Sequence, residues 1–287
     1  MTNPTQVDQR RKHLGSSNKR YTQTRSLKNN FNIENKVIVL TGGSGNLGSI
    51  YAEYLISNGA KVCNFDLTSP KDINKFDEKH YLFLKTDVTD KENISDSLKL
   101  VLEKFGCPQG LINNAALDSP PGDSELINGP FENYPEEAWD KVIDVNLKSI
   151  FLTCQIIGKE MAENSGGSII NISSHYGLIS PDQRIYNYRE NFYKPISYSA
   201  SKSGIFNITR YLSTYWGQQS IRVNSLTLGG VFDNQDEEFV NNYSKKVPLG
   251  RMAEKHEYNG VIHFLLSDAS SYITGSNIVS DGGWTAW

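Results

Sequence analysis

The sequence predicts an α/β protein: a single doubly wound parallel sheet with helices on both faces. Three observations predict it. Short apolar runs alternate with helical patterns from residue 34 to the end, the pattern of a parallel sheet covered on both sides. The first run closes in TGGSGNLG (41–48), and a helical pattern starts directly behind it. No composition break, internal repeat or low-complexity segment interrupts residues 34–287, so one sheet has to take every strand.

In order, KVIVLTGG (36–43) reads as a buried strand ending in glycines, and LGSIYAEYLISNG (47–59) has helical apolar spacing that stops at Gly59. KVCNFD (61–66) and HYLFLKTDV (80–88) are the second and third strands, with the helical stretch ISDSLKLVLEKFG (94–106) after them. QGLINNAA (109–116) is a strand running into a turn, and residues 136–164 carry a long helical pattern. GGSIINISS (166–174) is a strand, YSASKSGIFNITRYLSTYWG (198–217) a helix and SIRVNSLTLGG (220–230) a strand. A helical pattern at 256–266 precedes the last strand and turn, GSNIVSDGG (275–283). Consecutive right-handed crossovers make such a sheet doubly wound, and its ligands sit beyond the carboxyl ends of the strands. The informative residues are therefore those just after each strand.

Composition narrows the function. The net charge of −3 gives no global reason to expect nucleic acid, although residues 1–33 hold seven Lys/Arg and one acid, a formal +6 against −9 for the remainder. That basic, polar arm lacks the apolar stretch of a secretory signal and reads as a flexible N-terminal extension to a domain spanning 34–287. Its hydroxyl-rich, acid-poor composition also fits a transit peptide. No apolar run approaches a membrane span. Cys63, Cys107 and Cys154 are odd in number and unpaired in spacing, which points to a reducing compartment, the cytoplasm, and to no metal framework.

The glycine-rich turn lets backbone amides and a helix N-terminus approach a pyrophosphate. Candidate cofactor residues here are Gly42, Ser44, Gly45, Asn46, Leu47 and Gly48. Asp66 ends the second strand, where a carboxylate accepts from adenosine ribose hydroxyls and repels a 2′-phosphate. No Lys or Arg stands in 42–48 or 63–70, so the expected cofactor is NAD rather than NADP. Asp87 closes the third strand and suits an adenine amino group or, equally, the cap of the next helix.

The stretch YNYRENFYKPISYSASK (186–202) poses the catalytic question. A phenol is a poor base at neutral pH, and an ammonium beside it favours the phenolate. Residues four apart share a helix face, so Tyr198 and Lys202 are neighbours. Tyr81 and Lys85 have the same spacing, but in a strand pattern four residues span about 13 Å. Tyr186, Tyr188 and Tyr193 have no lysine four residues on.

Tyr198 and Lys202 also have company: NISS (171–174) ends a strand with a hydroxyl, and DVNLKSIF (144–151) places Asn146 on the preceding helix. With TGGSGNLG, Asp87-Val88, NNAA (113–116) and the SDGGW ending, these residues resemble the short-chain dehydrogenase/reductase family from about Asn35 to the C-terminus. The resemblance implies a Rossmann-type fold and an NAD(H)-dependent oxidoreductase interconverting a secondary alcohol and a ketone. It implies Tyr198 as general acid/base, Lys202 lowering its pKa and binding the nicotinamide ribose, Ser174 bonding the substrate oxygen, and Asn146 holding a relay water. Val88, Asn114, Ala115, Ala116, Gly229 and Val231 join the cofactor set. The sequence departs from the family pattern in three places. Asn46 replaces a glycine, Leu228-Gly229 replaces a Pro-Gly and so leaves the nicotinamide loop less rigid, and the Ser174 to Tyr198 interval is about twice the usual length.

That longer interval emerges beside the substrate carbonyl. Its rings and forked donors suit a sugar or an anionic group, and the candidate substrate residues are His175, Arg184, Tyr188, Tyr193 and, after the sixth strand, Asn234. Packing on a neighbouring subunit is the alternative use of such a loop. The segment 229–254 falls where the family places a mobile lid. GGVFDNQ, VPLGRMAE and SSYITG bear a weaker likeness to the branch acting in flagellin modification and nonulosonic-sugar pathways, which implies a sugar-derived substrate. The TGxxGxxG spacing also fits the extended branch of epimerases and dehydratases that recycle NAD, and a non-catalytic NAD-binding sensor or scaffold is a third reading. By resemblance, the helices at 136–164 and 198–217 form a dimer face, and the chain is expected to be a homo-oligomer, tetramer or dimer, with no nucleic-acid or membrane partner.

Overall fold

The computed structural model describes residues 29–119, 124–164 and 166–287. The basic character of residues 1–28 therefore lies outside the described part. The domain begins at Phe31, slightly before the boundary drawn from charge. Ile33 shows why: its side chain is buried in the core and its carbonyl accepts from the Lys36 amide.

Seven strands form one sheet: β1 Val37–Thr41, β2 Lys61–Asp66, β3 Tyr81–Lys85, β4 Gly110–Asn113, β5 Gly167–Ser174, β6 Ile221–Leu228 and β7 Asn277–Ser280. All pairings are parallel, in the order β3-β2-β1-β4-β5-β6-β7. The chain winds outward through β2 and β3, then crosses back to lay β4 against the other side of β1. The order reverses there, and the crevice above β1 and β4 is where such a sheet takes a ligand.

The apolar strands serve two faces at once. Val37 and Val39 join one core cluster while Ile38 and Leu40 join the other, the period-two alternation of a strand buried on both sides. Leu111 and Ile112 divide the same way, as do Ile169 and Ile170.

Helix limits follow capping rather than apolar spacing alone. Lys91–Phe105 starts before its apolar face does, because the Asp90 carboxylate accepts from the Glu92 and Asn93 amides at 2.8 and 3.0 Å, satisfying two orphan donors. The long helical run is α-helical at Glu136–Ile143, Ser149–Thr153 and Lys159–Glu163, with π turns at Asp144–Lys148 and Cys154–Gly158. Asn146 sits in the first π turn, a bulge type frequent at functional sites. Ile196–Trp216 begins after Pro195, a residue that starts helices readily because its missing N–H is not needed there.

A third, smaller cluster lies at the carboxyl edge. It joins Tyr176, Ile185 and Tyr186 to Tyr243, Val247, Met252 and Trp284. Tyr243 belongs to Glu237–Ser244, a helix capped by Asp236 that the sequence reading left as a polar lid segment. Among the described residues no helix is long and apolar enough to cross a membrane.

Candidate active site

The glycine turn is fastened from three sides. The Gly43 amide donates to Asn64 Oδ1 at 2.9 Å, the Ser44 amide to Asp66 Oδ2 at 3.0 Å, and Asn114 Nδ2 to the carbonyls of Thr41 and Gly42, both at 3.1 Å. Thr41 Oγ1 accepts from the Asn114 and Ala115 amides, each at 3.0 Å. A Cβ on Gly42, at φ +66°, would stand 2.8 Å from Ala115 Cα, and one on Gly48 would stand 2.0 Å from the Gly42 carbonyl oxygen. Only close packing of turn, helix and β4 loop explains these glycines. Asn46 needs no left-handed backbone: within the turn only Gly42 has a positive φ. No side chain caps the N-terminus of Gly48–Ser57, and Asn46 and Leu47 line the main cavity. An uncapped helix end behind a closely packed glycine turn fits a dinucleotide pyrophosphate.

At the outer end, Asp66 Oδ1 accepts from the Thr68 amide at 3.1 Å and hydroxyl at 3.3 Å. The carboxylate is thereby held at the end of β2 by Ser44 and Thr68. Asp87 is not a helix cap, since Asp90 takes that place. Its Oδ1 accepts from the Thr89 amide at 2.8 Å and hydroxyl at 2.6 Å. Partial burial raises its pKa, but these bonds and Lys141 outweigh that and hold it below the usual value. Val88 is buried in the core beneath.

The catalytic candidates meet at the carboxyl end of β5, one strand beyond the point where the sheet order reverses. Ser174, the last residue of β5, accepts from the Tyr176 amide at 3.2 Å, and its hydroxyl acts to lower the pKa of the Tyr198 phenol. Lys202 is buried, its Nζ donates to the Ile172 carbonyl at 3.0 Å and lies 5.8 Å from the Tyr198 ring centre. Burial pushes the Lys202 ammonium down to about 8, with Asp118 opposing. Tyr198 behaves differently from the expectation that Lys202 lowers it. Burial and the Asp118 charge hold the phenol above its ordinary value, and the Ser174 hydroxyl opposes them. Within the protein alone Lys202 is engaged with the β5 backbone rather than with the phenol.

Asn146 is fully buried, and its amide is taken up by the chain. Oδ1 accepts from the Leu117 amide at 2.7 Å, while Nδ2 donates to the Leu117 carbonyl at 2.9 Å and to Ser201 Oγ at 3.1 Å. The side chain ties the loop after β4 to the catalytic helix. Tyr81 and Lys85 stand at the two ends of β3, which removes them as a competing pair.

A cavity of about 700 Å³ opens over these groups. Tyr198, Lys202, Ser174, His175, Tyr188, Asn114, Ala116, Gly229 and Val231 line it, whereas Arg184, Tyr193 and Asn234 do not. Arg184 is bound by both ends to Asp182, through Nε and Nη2 at 2.8 Å each. Tyr193 faces a neighbouring hollow with Phe131 and Pro181, and Asn234 occupies a left-handed turn at φ +58°. His175 is 4% exposed. Its Nδ1 lies 3.1 Å from the Leu228 carbonyl, so Nδ1 carries the proton, and Nε2 has no partner among the described residues. Burial pulls its pKa down to about 4 despite the Leu228 carbonyl, leaving a neutral acceptor.

The loop after β6 is firmer than Leu228-Gly229 implied. The Gly229 amide donates to the Ser280 carbonyl, the Gly230 amide to the Tyr243 hydroxyl and Gln235 Nε2 to the Val231 carbonyl. Asn46 Nδ2 reaches across to Asp233, which also pairs with Lys255. Sequence reasoning missed Asp118, Lys194, Arg189, Phe192, Asp233 and Phe239, which also line the cavity. Lys194 and Arg189 stood in the recognised insertion, but nothing in their spacing marked which way they face.

A dinucleotide-fitting turn, a carboxylate ordered at the end of β2 and a Ser-Tyr-Lys group over one cavity fit a nicotinamide-dependent oxidoreductase of Rossmann type. Comparison with known proteins makes this definite. The family model described as "Enoyl-(Acyl carrier protein) reductase" matches residues 44–285. An NAD-dependent glycerol dehydrogenase of Listeria innocua is 32% identical over 89% of this chain and 96% of its own length. A 2-dehydro-3-deoxy-D-gluconate 5-dehydrogenase of Dickeya dadantii is 29% identical over 90% of this chain and 98% of its own. A short-chain dehydrogenase from Leptospira borgpetersenii, solved with bound NAD+, superposes with a TM-score of 0.80 at 33% identity, covering 92% of this chain and 98% of that one. The chain belongs to the short-chain dehydrogenase/reductase family.

Proposed function

We propose that the protein is an NAD(H)-dependent dehydrogenase/reductase that interconverts a secondary alcohol and a ketone on a polyol or sugar-derived substrate. The observation that carries this is the convergence of Ser174, Tyr198 and Lys202 on one cavity, continuous with the glycine turn. The similarity to dehydrogenases named for glycerol and for a deoxy-gluconate supports the substrate class. Gly42, Ser44, Gly45, Asn46, Leu47 and Gly48 would hold the pyrophosphate side, Asp66 the adenosine ribose, Asp87 and Val88 the adenine side. Asn114, Ala115, Ala116, Gly229 and Val231 would flank the nicotinamide half. When bound, the nicotinamide takes or supplies the hydride.

The chain's own residues handle the proton. In the oxidation direction the Tyr198 oxygen takes the hydroxyl proton as the carbonyl forms, and in reduction it returns it. Ser174 donates to the substrate oxygen, where negative charge develops. Lys202 contributes a cation whose low pKa keeps it close to exchange near neutrality. Because the Asn146 amide is committed to Leu117 and Ser201, a water held at this residue would have to use its backbone carbonyl. The Asp66 carboxylate, with no cation in its own segment, favours NAD.

Two further assignments belong to this proposal. Leu147, Phe151, Tyr211, Leu212, Tyr215 and Trp216 make an apolar face across the two long helices, which we assign to a second copy of the chain. Cys63 and Cys154 are buried thiols whose pKa burial raises to about 12, as expected of inert cysteines in the cytoplasm. The test of the activity is Tyr198→Phe. It should abolish turnover of polyols while NADH affinity, read by fluorescence, stays within about threefold. Retained turnover would remove Tyr198 from its role.

A further inference from the structure

Lys194 is the least expected residue of the cavity. It immediately precedes Pro195, which opens the catalytic helix, and its side chain is 10% exposed. Its backbone is clamped from both sides by one glutamine. The Lys194 amide donates to Gln183 Oε1 at 2.8 Å, and Gln183 Nε2 donates to the Lys194 carbonyl at 3.2 Å. The ammonium is thereby fixed over the reacting group, with Nζ 5.1 Å from the centre of the Tyr198 ring. From there it donates to both carboxylate oxygens of Asp118, in the loop that follows β4. Asp118 is the open partner, with its side chain 68% exposed, and both residues line the cavity that Tyr198 and Ser174 enter.

We propose that Asp118 and Lys194 form a polar subsite beside Tyr198 for the hydroxyl on the carbon next to the reacting one. The preferred substrate is then a neutral vicinal diol or the corresponding α-hydroxyketone. This rests on the dehydrogenase reading above and adds the substrate class to it. Oxygens on adjacent carbons lie about one hydrogen-bond length apart. With the reacting oxygen held by Ser174 and Tyr198, its neighbour falls within the pair's reach. A hydroxyl suits the pair because it is donor and acceptor together: it gives its proton to Asp118 and accepts from Lys194.

A carboxylate or phosphate suits it poorly. The Lys194 charge is already matched by Asp118, and Asp236 adds negative charge to the same wall, where Asp233 is paired with Lys255. Of the forked donors that would favour an anion, Arg184 lies outside the cavity on Asp182, while Arg189 lines the cavity with its guanidinium stacked 4.0 Å above the Phe192 ring.

The rival explanation is a bridge that merely fastens the insertion to the β4 loop. The experiment compares three substrates sharing one secondary alcohol: butane-2,3-diol, butan-2-ol and 3-hydroxybutyrate, at a pH above the acid limb. Wild type should favour the diol over butan-2-ol in kcat/KM by on the order of 10- to 100-fold, the range for hydrogen bonds to charged groups. Lys194→Met and Asp118→Asn should each bring the diol down to the level of butan-2-ol. For Lys194→Met, butan-2-ol itself and NADH affinity should stay within about threefold. In a Tyr198→Phe background, calorimetry on the NADH complex should show diol binding that Lys194→Met weakens.

Equal losses for both alcohols would overturn the subsite in favour of a bridge and leave the dehydrogenase reading intact. So would a preference for 3-hydroxybutyrate that Lys194→Met removes, which would mark an anion site. If wild type oxidised no alcohol yet Lys194-dependent diol binding survived, the subsite would stand and the activity reading would fall. Neither turnover nor binding would overturn both.

Discussion

Replacing Asp66 by serine tests the cofactor assignment most directly. In the structure its Oδ2 accepts from the Ser44 amide at 3.0 Å and its Oδ1 from the Thr68 amide at 3.1 Å, so the carboxylate is held at the mouth of the adenosine site. A 2′-phosphate would carry its charge to about 5 Å from it. One unit pair at that distance is worth about 1 kcal/mol in water and about 3 kcal/mol at an effective dielectric of 20. Asp66 is partly exposed, so we take the lower half of that range and allow for the phosphate's charge of about −1.5 to −2. That gives roughly 1.5–4 kcal/mol against NADP. Loss of the ribose hydrogen bonds to a charged acceptor adds about 1.5–3 kcal/mol on the NAD side. Wild type should therefore prefer NAD by about two orders of magnitude or more. Lys85 stands in register with Asp66 on the adjacent strand, so the variant leaves a cation next to the site. Asp66→Ser should lower kcat/KM with NAD by about 10- to 100-fold and raise it with NADP by a similar factor. The assay is initial rate against each cofactor, read by absorbance of the reduced nicotinamide. Wild type using NADP as well as NAD, or a variant leaving the ratio within about threefold, would refute the reasoning.

Three other outcomes are expected. Asp118→Asn removes a charge that raises the Tyr198 pKa, so the acid limb of butan-2-ol oxidation should move to lower pH, and a shift upward would contradict the placement of Asp118. His175 titrates near 4 when folded and near 6.5 unfolded, so the unfolded chain binds the extra proton between those values. Stability should be level above about pH 6.5 and fall by about 2 kcal/mol on going to pH 5, and His175→Gln should remove that part of the slope in urea titrations. Tyr211, 64% exposed on the apolar helix face, becomes a buried charge in a paired assembly if changed to glutamate, so Tyr211→Glu should halve the mass seen by light scattering if two copies meet there.

How much was legible in the sequence follows from what each feature depends on. The sheet could be read because its determinants are local: strands buried on both faces must be continuously apolar, and a turn as tight as 41–48 must be rich in glycine. That Tyr198 and Lys202 share a face could be read because the spacing acts within one helix, but that Lys202 turns to the Ile172 carbonyl of β5 could not. Asp118 and Lys194 could not, since they meet across the fold from a loop after β4 and an insertion before the catalytic helix. Arg184 illustrates the converse failure. Its residue type suits a substrate anion, but Asp182, two positions away, captures it first. Asn46 in place of a glycine asks nothing unusual of the backbone. The fold puts the positive φ at Gly42 and leaves Asn46 free to reach Asp233.

The insertion does more than lengthen the path from Ser174 to Tyr198. Tyr186 stacks on Phe239 at 5.5 Å between ring centres, the Tyr188 hydroxyl donates to Asp236 at 2.6 Å, and Lys246 pairs with Asp182 at 2.7 Å. Each of these contacts joins the insertion to the segment after β6, and the shared apolar cluster of Tyr176, Ile185, Tyr243 and Trp284 lies beneath them. Two loops that separately would each lose entropy on closing over a substrate are here ordered against one another. The same clamp positions Lys194, because Gln183 lies in the turn that carries Ile185 and Tyr186 into that cluster. Ser174, Tyr198 and Lys202 are set by β5 and the helix Ile196–Trp216, and the insertion reaches them through Lys194 over the Tyr198 ring. If substrate choice rests on this wall, whose two halves hold each other, a change in either half should alter which alcohol is taken before it alters whether an alcohol is oxidised.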